Sequence, residues 1–199
     1  MSPIEKAVKV LQREGVLLVP TDTNYALAVD PWSVSACEKV YAIKQRDVKK
    51  PLTLFLASPE EIQNYVELSR WQRETFSRLM HFLPGPLNLV LPKSAQAPDH
   101  QFIKEDSISL VCNSQPALQA LLRAWGRPLA LTSANISGIE HAGLIDHSLA
   151  EATFGRQVDY VLPGGGTSTT TTSSTIVSLL GDRLTVIRQG DIRIGEIYA

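Results

Sequence analysis

Val16-Leu17-Leu18-Val19-Pro20-Thr21-Asp22-Thr23-Asn24-Tyr25 is an unbroken apolar run that stops at a proline and opens into a hydroxyl-rich turn. Four consecutive apolar residues with no polar alternation suit a strand buried on both faces. Before it, Ile4, Ala7, Val8 and Leu11 recur at helical spacing within residues 3–14, and Gly15 ends that segment. The same alternation continues downstream. A helix is expected from Ser33, its N-cap, to Lys44, and then a strand over Leu52–Leu56. Ser58-Pro59-Glu60-Glu61 has the chemistry of a helix start, and a longer helix is expected from Ser69 to Phe82, ending at Pro84-Gly85-Pro86.

Leu87–Leu91, Ser107–Val111 and Pro128–Leu131 are the next strand candidates, with a helix from Gln115 to Trp125 stopped by Gly126. Periodicity weakens after Gly138, and strands are expected near Val158–Leu162, Thr175–Leu179 and Leu184–Ile187. Strands interleaved with helices predict an α/β or α+β fold, a twisted mixed β-sheet with helices packed around it, in one domain over residues 1–199. With 44% hydrophobic residues the chain can bury a sizeable core.

The formal net charge is −1, so no global positive field draws in nucleic acid, and any RNA contact needs a local patch. No apolar run approaches the roughly 18 residues of a membrane span. The N-terminus lacks a signal-peptide core, so a cytoplasmic setting is expected. Cys37, Cys112 and the four histidines have no metal-ligand spacing, and no glycine-rich P-loop is present. No residue is therefore assigned to a metal; Asp22 reads either as a Mg²⁺ ligand or, as is commoner for a lone Asp among threonines, as a turn or cap residue.

Three segments place hydroxyl, amide and cationic side chains directly beside apolar strands: Pro20–Tyr25, Lys44–Leu52 and Thr132–Gly138. In open sheets ligands bind beyond strand ends, which makes these turns site candidates. Lys44, Arg46, Lys49 and Lys50 are either a solvated surface cluster or a cradle for a triphosphate. Thr132-Ser133-Ala134-Asn135 is either turn chemistry or a site for a ribose, phosphate or amino-acid head group. Residues 164–174, rich in Gly, Thr and Ser, read as a polar surface loop or as a lid over a polar ligand.

Taken in order, Pro20–Tyr25, Lys44–Leu52, Pro84–Pro86, Thr132–Gly138, Ser174–Val177 and Arg188–Gly190 resemble the signature of the YrdC-like family (YrdC, YciO and YwlC type), collinear from about residue 4 to 192. The resemblance implies a YrdC-like fold with a cationic concave face. It also implies an ATP-dependent nucleotidyltransferase that condenses L-threonine and bicarbonate with ATP and Mg²⁺ into threonylcarbamoyl-AMP. A downstream tRNA threonylcarbamoyl transferase would then use this product, and a weak RNA or tRNA contact is expected. By the same resemblance Lys44 and Arg46 are catalytic. Lys50, Ser107, Asn135 and Arg188 hold the nucleotide, and Thr23, Tyr25, Ser133 and Ser174 contact the threonine part.

The chain departs from the pattern at Phe55, where relatives bring a His, and at Val111, where they carry an Arg in the amino-acid region. Loss of such a charge-assisted contact removes on the order of 1.5–3 kcal/mol. Asn24, Ala26 and Asn88 are smaller departures. Phe55 and Val111 motivate a second reading, a paralogue that carbamoylates and adenylates a different amine; the basic cluster from Lys44 to Lys50 and the implied cationic face motivate a third, a non-catalytic RNA-binding module.

Overall fold

A computed structural model describes residues 1–138, 143–165 and 170–194. The helices are α1 (Pro3–Leu11), α2 (Val34–Lys44), α3 (Arg70–Leu79), α4 (Pro116–Trp125) and α5 (His147–Phe154). The strands are β1 (Leu17–Val19), β2 (Ala26–Val29), β3 (Thr53–Leu56), β4 (Leu87–Pro92), β5 (Ser107–Cys112), β6 (Leu129–Ser133), β7 (Tyr160–Val161), β8 (Thr175–Ser178) and β9 (Thr185–Arg188). Among the described residues they form one nine-stranded sheet in the order β7-β1-β2-β6-β3-β5-β4-β8-β9. Antiparallel pairs dominate, with parallel pairs β1–β7, β3–β5 and β4–β8, so the expected mixed sheet is present.

Local chemistry sets the helix ends. Ser2 and Glu5 form a reciprocal capping box on α1, and Ser69 and Gln72 form another on α3. Ser33 caps α2 as expected, and Gly126 ends α4 at φ 79°. Ser58-Pro59-Glu60-Glu61 starts a 3-10 helix, Pro59–Asn64, with no side-chain cap bond from Ser58. The segment from Ser69 also divides, α3 ending at Leu79 and a 3-10 turn following over Met80–Phe82. Two elements carried too little pattern to be expected. One is β2, four small or aliphatic residues buried throughout; the other is α5, capped by the Asp146 side chain on Leu149 N.

Strand alternation divides the core in two. Leu27, Val29, Leu54, Leu56, Leu89 and Leu110 face the larger core, with Val40 and Tyr41 of α2, Phe76 of α3 and Phe154 of α5. Truncating one of these leucines to alanine costs about 2–5 kcal/mol. Their neighbours Ala26, Ala28, Leu129 and Leu131 point the other way, into a smaller core closed by Ala7 and Leu11 of α1 and Leu118, Leu121 and Leu122 of α4. That cover lies over β1, β2 and β6. On the same face, β3, β5, β4 and β8 contribute the floor of a cavity instead.

Candidate active site on the open sheet face

The cavity has a volume of about 290 Å³ and is lined by the 21–26 turn, Arg46, β3, the start of β4, the end of β5, the end of β6, residues 173–176 and Arg188. Its floor follows the strand register. Phe55 sits beside Val111, Val111 beside Asn88, Asn88 beside Ile176, and Ile176 beside Arg188.

The turn after β1 is held by its own hydroxyls. Thr21 Oγ1 donates to the Asn24 carbonyl at 2.6 Å and accepts from Thr23 N at 3.1 Å. Asp22 turns inward, where its Oδ2 accepts from Ser114 N and Ser114 Oγ, both at 3.1 Å. Burial pushes the Asp22 carboxyl pKa up, against the lowering effect of the Ser114 bonds. Asn24 joins two distant segments: its Nδ2 donates to Ser173 Oγ at 3.1 Å, and its Oδ1 accepts from Ile145 N at 2.8 Å.

Lys44 ends α2 with its side chain inside the protein, 1% exposed. Its ammonium donates to the Ser133 carbonyl and, at 3.4 Å, to Asn135 Oδ1, which also accepts from Ser133 Oγ at 2.6 Å. Burial, with the nearby Arg46 charge adding to it, pushes the Lys44 pKa down to about 7. Arg46 leaves the helix after Gln45, whose φ of 50° turns the chain. Its guanidinium is fastened to the carbonyls of Lys50 (3.0 Å) and Pro51 (2.9 Å). Tyr41 Oη donates to the same Lys50 carbonyl at 2.6 Å. On the far side, Arg188 Nε and Nη2 donate to the Ser174 carbonyl at 3.0 and 2.8 Å.

Thr23, Arg46, Ser133, Ser174 and Arg188 thus meet in one cavity although 165 residues separate the first from the last. Lys44 and Asn135 sit directly behind the Ser133 wall. Lys50 is exposed and meets this group through its carbonyl. Ser107 is placed elsewhere: it begins β5, pairs with Pro92 and is 1% exposed, so it lies four residues along the strand from Val111. Tyr25 also does not line the cavity. Its ring meets His147 edge-on at 5.3 Å, and a Cβ on Gly165 would fall 1.7 Å from its hydroxyl.

Of the Gly- and Thr-rich stretch, residues 166–169 lie outside the described residues. The part that follows is tied to both walls. Thr170 Oγ1 donates to the Asp22 carbonyl at 3.1 Å, and Thr171 donates to the Asp191 carboxylate through N (2.7 Å) and Oγ1 (2.6 Å).

Sequence reasoning missed Thr53 as part of the site and Ser109 as the residue linking it to Asn88. Thr53 Oγ1 lies 3.2 Å from Ser109 Oγ, which donates to Asn88 Oδ1 at 2.7 Å. The available signal was a polar residue at alternate positions of otherwise aliphatic strands, which a period-2 count would have put on one face. Among the described residues no group of three or more His, Cys, Asp or Glu could hold a metal ion, and no helix is long and apolar enough to cross a membrane.

Comparison with known proteins gives this geometry a context. The sequence profile of the Sua5–YciO–YrdC family, described as telomere recombination, matches residues 9–190. A threonylcarbamoyl-AMP synthase of Shigella boydii is 35% identical over 191 residues, covering 94% of this chain and 95% of that protein. The synthase of Escherichia coli K12 is 36% identical over 165 residues, or 81% and 83% of the two chains. Among solved structures, P. abyssi Sua5 complexed with L-threonine superposes with a TM-score of 0.86 at 25% identity. That match covers 98% of this chain and 56% of Sua5, so this chain spans about half the Sua5 length. E. coli YciO gives a TM-score of 0.83 at 26% identity, covering 96% of this chain and 90% of YciO. On the profile match and the near full-length identity to curated relatives, the chain belongs to the Sua5–YciO–YrdC family.

Proposed function

We propose that the chain is a threonylcarbamoyl-AMP synthase, an ATP-dependent nucleotidyltransferase using L-threonine and bicarbonate. The observation that carries this is the pair of backbone-anchored guanidiniums, Arg46 and Arg188, at the two ends of one cavity whose walls bear the Thr23, Ser133 and Ser174 hydroxyls. The names of the relatives that match most of the chain support it.

In this reading the threonine amine attacks bicarbonate, water leaves, and the resulting carbamate oxygen attacks the α-phosphorus of ATP. The bond from that phosphorus to the bridging oxygen breaks, and pyrophosphate departs. Holding amine, bicarbonate and nucleotide together is a positioning task, which anchored side chains perform without reorganising. Arg46 and Arg188 would meet phosphate oxygens as planar forks, with Lys44 a point charge behind the Ser133–Asn135 wall and Lys50 outside it. Thr23, Ser133 and Ser174 would contact the amino-acid part. Tyr25, packed on His147 and Gly165, would serve by holding the turn, and Ser107 would lie outside the cavity.

The cavity's hydroxyls, amides and guanidiniums are not a divalent-cation cage. Mg²⁺ would enter bound to the ATP phosphates, where it neutralises charge. The product's threonylcarbamoyl group would pass to tRNA through a separate transferase in the cytoplasm.

The test is pyrophosphate release from purified protein with ATP, Mg²⁺ and bicarbonate, with and without L-threonine. Threonine-dependent release that disappears in Arg188→Ala and Lys44→Ala supports the assignment, and its persistence in both variants removes it. The second reading, a paralogue acting on another amine, is favoured by the uncharged Phe55 and Val111 on the cavity floor. Bicarbonate-dependent release with another amine and none with threonine would establish it.

A further inference from the structure

The strands of the cavity floor contribute five lining side chains: Thr53 and Phe55 from β3, Asn88 from β4, Val111 from β5 and Ile176 from β8. None is charged, and Asn88 alone carries N–H donors. The arginines are fastened elsewhere, Arg46 to the Lys50 and Pro51 carbonyls and Arg188 to the Ser174 carbonyl. Arg188 is on β9, two strand spacings from Asn88, about 10 Å along the sheet.

The Asn88 amide has a set orientation. Ser109 Oγ donates to its Oδ1 at 2.7 Å, and Ser109 is backed by Thr53 Oγ1 at 3.2 Å. Asn88 lines the cavity, its Oδ1 is engaged by Ser109 on the same sheet face, and among the described residues nothing accepts from its Nδ2. The residue is 9% exposed, so a hydrogen bond made there meets little competition from water. Next to it, Val111 and Phe55 form an apolar wall in register.

We infer that Asn88 is the specificity-determining residue for the acceptor: its Nδ2 protons receive the α-carboxylate of a small amino acid whose side chain is uncharged. Ser109 and Thr53 hold the amide in that orientation, and Phe55 and Val111 face the aliphatic part of the ligand. A basic side chain would meet no opposite charge among the lining residues, and any charged group set against Phe55 and Val111 would be buried on an apolar wall. The inference rests on the synthase reading and deepens it, by placing recognition of the amino acid on a neutral donor of β4.

The experiment measures L-threonine binding by calorimetry without turnover, and separately KM for L-threonine and for ATP. It uses the full chain and its Asn88→Leu, Asn88→Asp and Ser109→Ala variants. Expected is a loss of L-threonine affinity of about tenfold or more in both Asn88 variants and a smaller loss in Ser109→Ala. ATP affinity should stay within about twofold of the parent, which also shows that the variants fold. Undiminished L-threonine affinity in Asn88→Leu overturns the inference, and so does an equal loss of ATP affinity, which marks a structural role. If the parent binds L-threonine without releasing pyrophosphate, the synthase reading falls, and weakened binding in Asn88→Leu still supports the residue assignment. A parent that neither binds nor turns over L-threonine overturns both.

Discussion

Asn24 and Ser173 are joined side chain to side chain, Nδ2 to Oγ at 3.1 Å, across 149 residues of sequence. The same amide accepts from Ile145 N at 2.8 Å, so one residue of the first turn ties down two later segments beside the cavity. Asn24→Ala removes both bonds and leaves the part-buried Ile145 N–H without its acceptor, at a cost of about 1–3 kcal/mol. Urea unfolding should register that loss, and KM for ATP should rise as the 173–174 wall loosens. A variant as stable as the parent would show that water replaces the amide at no cost.

Lys44 makes stability depend on pH. In the unfolded chain its ammonium titrates near 10.4, whereas burial brings it down to about 7 in the fold. Between these values the unfolded state holds more protons, so stability rises with pH from about 7 towards 10 and falls as pH drops back through 7. This one group contributes a slope of at most about 1.4 kcal/mol per pH unit. Unfolding midpoints between pH 7 and 9.5 should therefore climb more steeply in the parent than in Lys44→Met. Parallel slopes would mean that the Ser133 and Asn135 contacts keep the lysine charged.

Phosphate brought near Lys44 favours its charged form. At pH 8 ATP binding should therefore take up protons, visible as a binding enthalpy that changes with the ionisation enthalpy of the buffer. Lys44→Met should abolish the dependence.

The two hydrogen bonds from Arg188 to the Ser174 carbonyl require a planar guanidinium. Arg188→Lys keeps the charge and loses that anchor, and Arg188→Ala loses both. Affinity for ATP should fall in the order Arg, Lys, Ala, the last by about 10- to 100-fold. If Lys and Ala are equally poor, anchoring rather than charge sets the affinity.

Gly190 lies against backbone: a Cβ there would fall 2.4 Å from the Ser173 carbonyl oxygen and 2.6 Å from Thr175 N. No side-chain rotation relieves such contacts, so Gly190→Ala should destabilise by about 1–3 kcal/mol and displace Arg188. Gly181, where a Cβ would meet nothing within 4 Å, provides the control. Thermal melts in which Gly181→Ala is the more damaging of the two would contradict this account.

Composition and period determined much of this protein. The buried run before Pro20, the capped helices α1, α2, α3 and α4, and the aliphatic strands β3, β4 and β5 follow from local side-chain chemistry, which acts over a few residues. The ordered motifs from Pro20 to Gly190 likewise carried the family resemblance. Tertiary structure alone decided which residues share a face. Thr53, Ser109 and Asn88 look like isolated polar interruptions until β3, β5 and β4 pair in register and align them as one chain of hydrogen bonds. It also decided that Lys44 is buried behind the Ser133 wall and that Ser107 lies apart from it, because both outcomes depend on the path of β6 and β5 across the sheet. β2 and α5 escaped notice for a related reason. Ala26-Leu27-Ala28-Val29 is a strand because β1 and β6 flank it, and residues 147–154 are helical once Asp146 caps them and Ala150 and Phe154 find the core. Local propensity over four or eight residues is too weak to impose either conformation, so the partners supply the free energy.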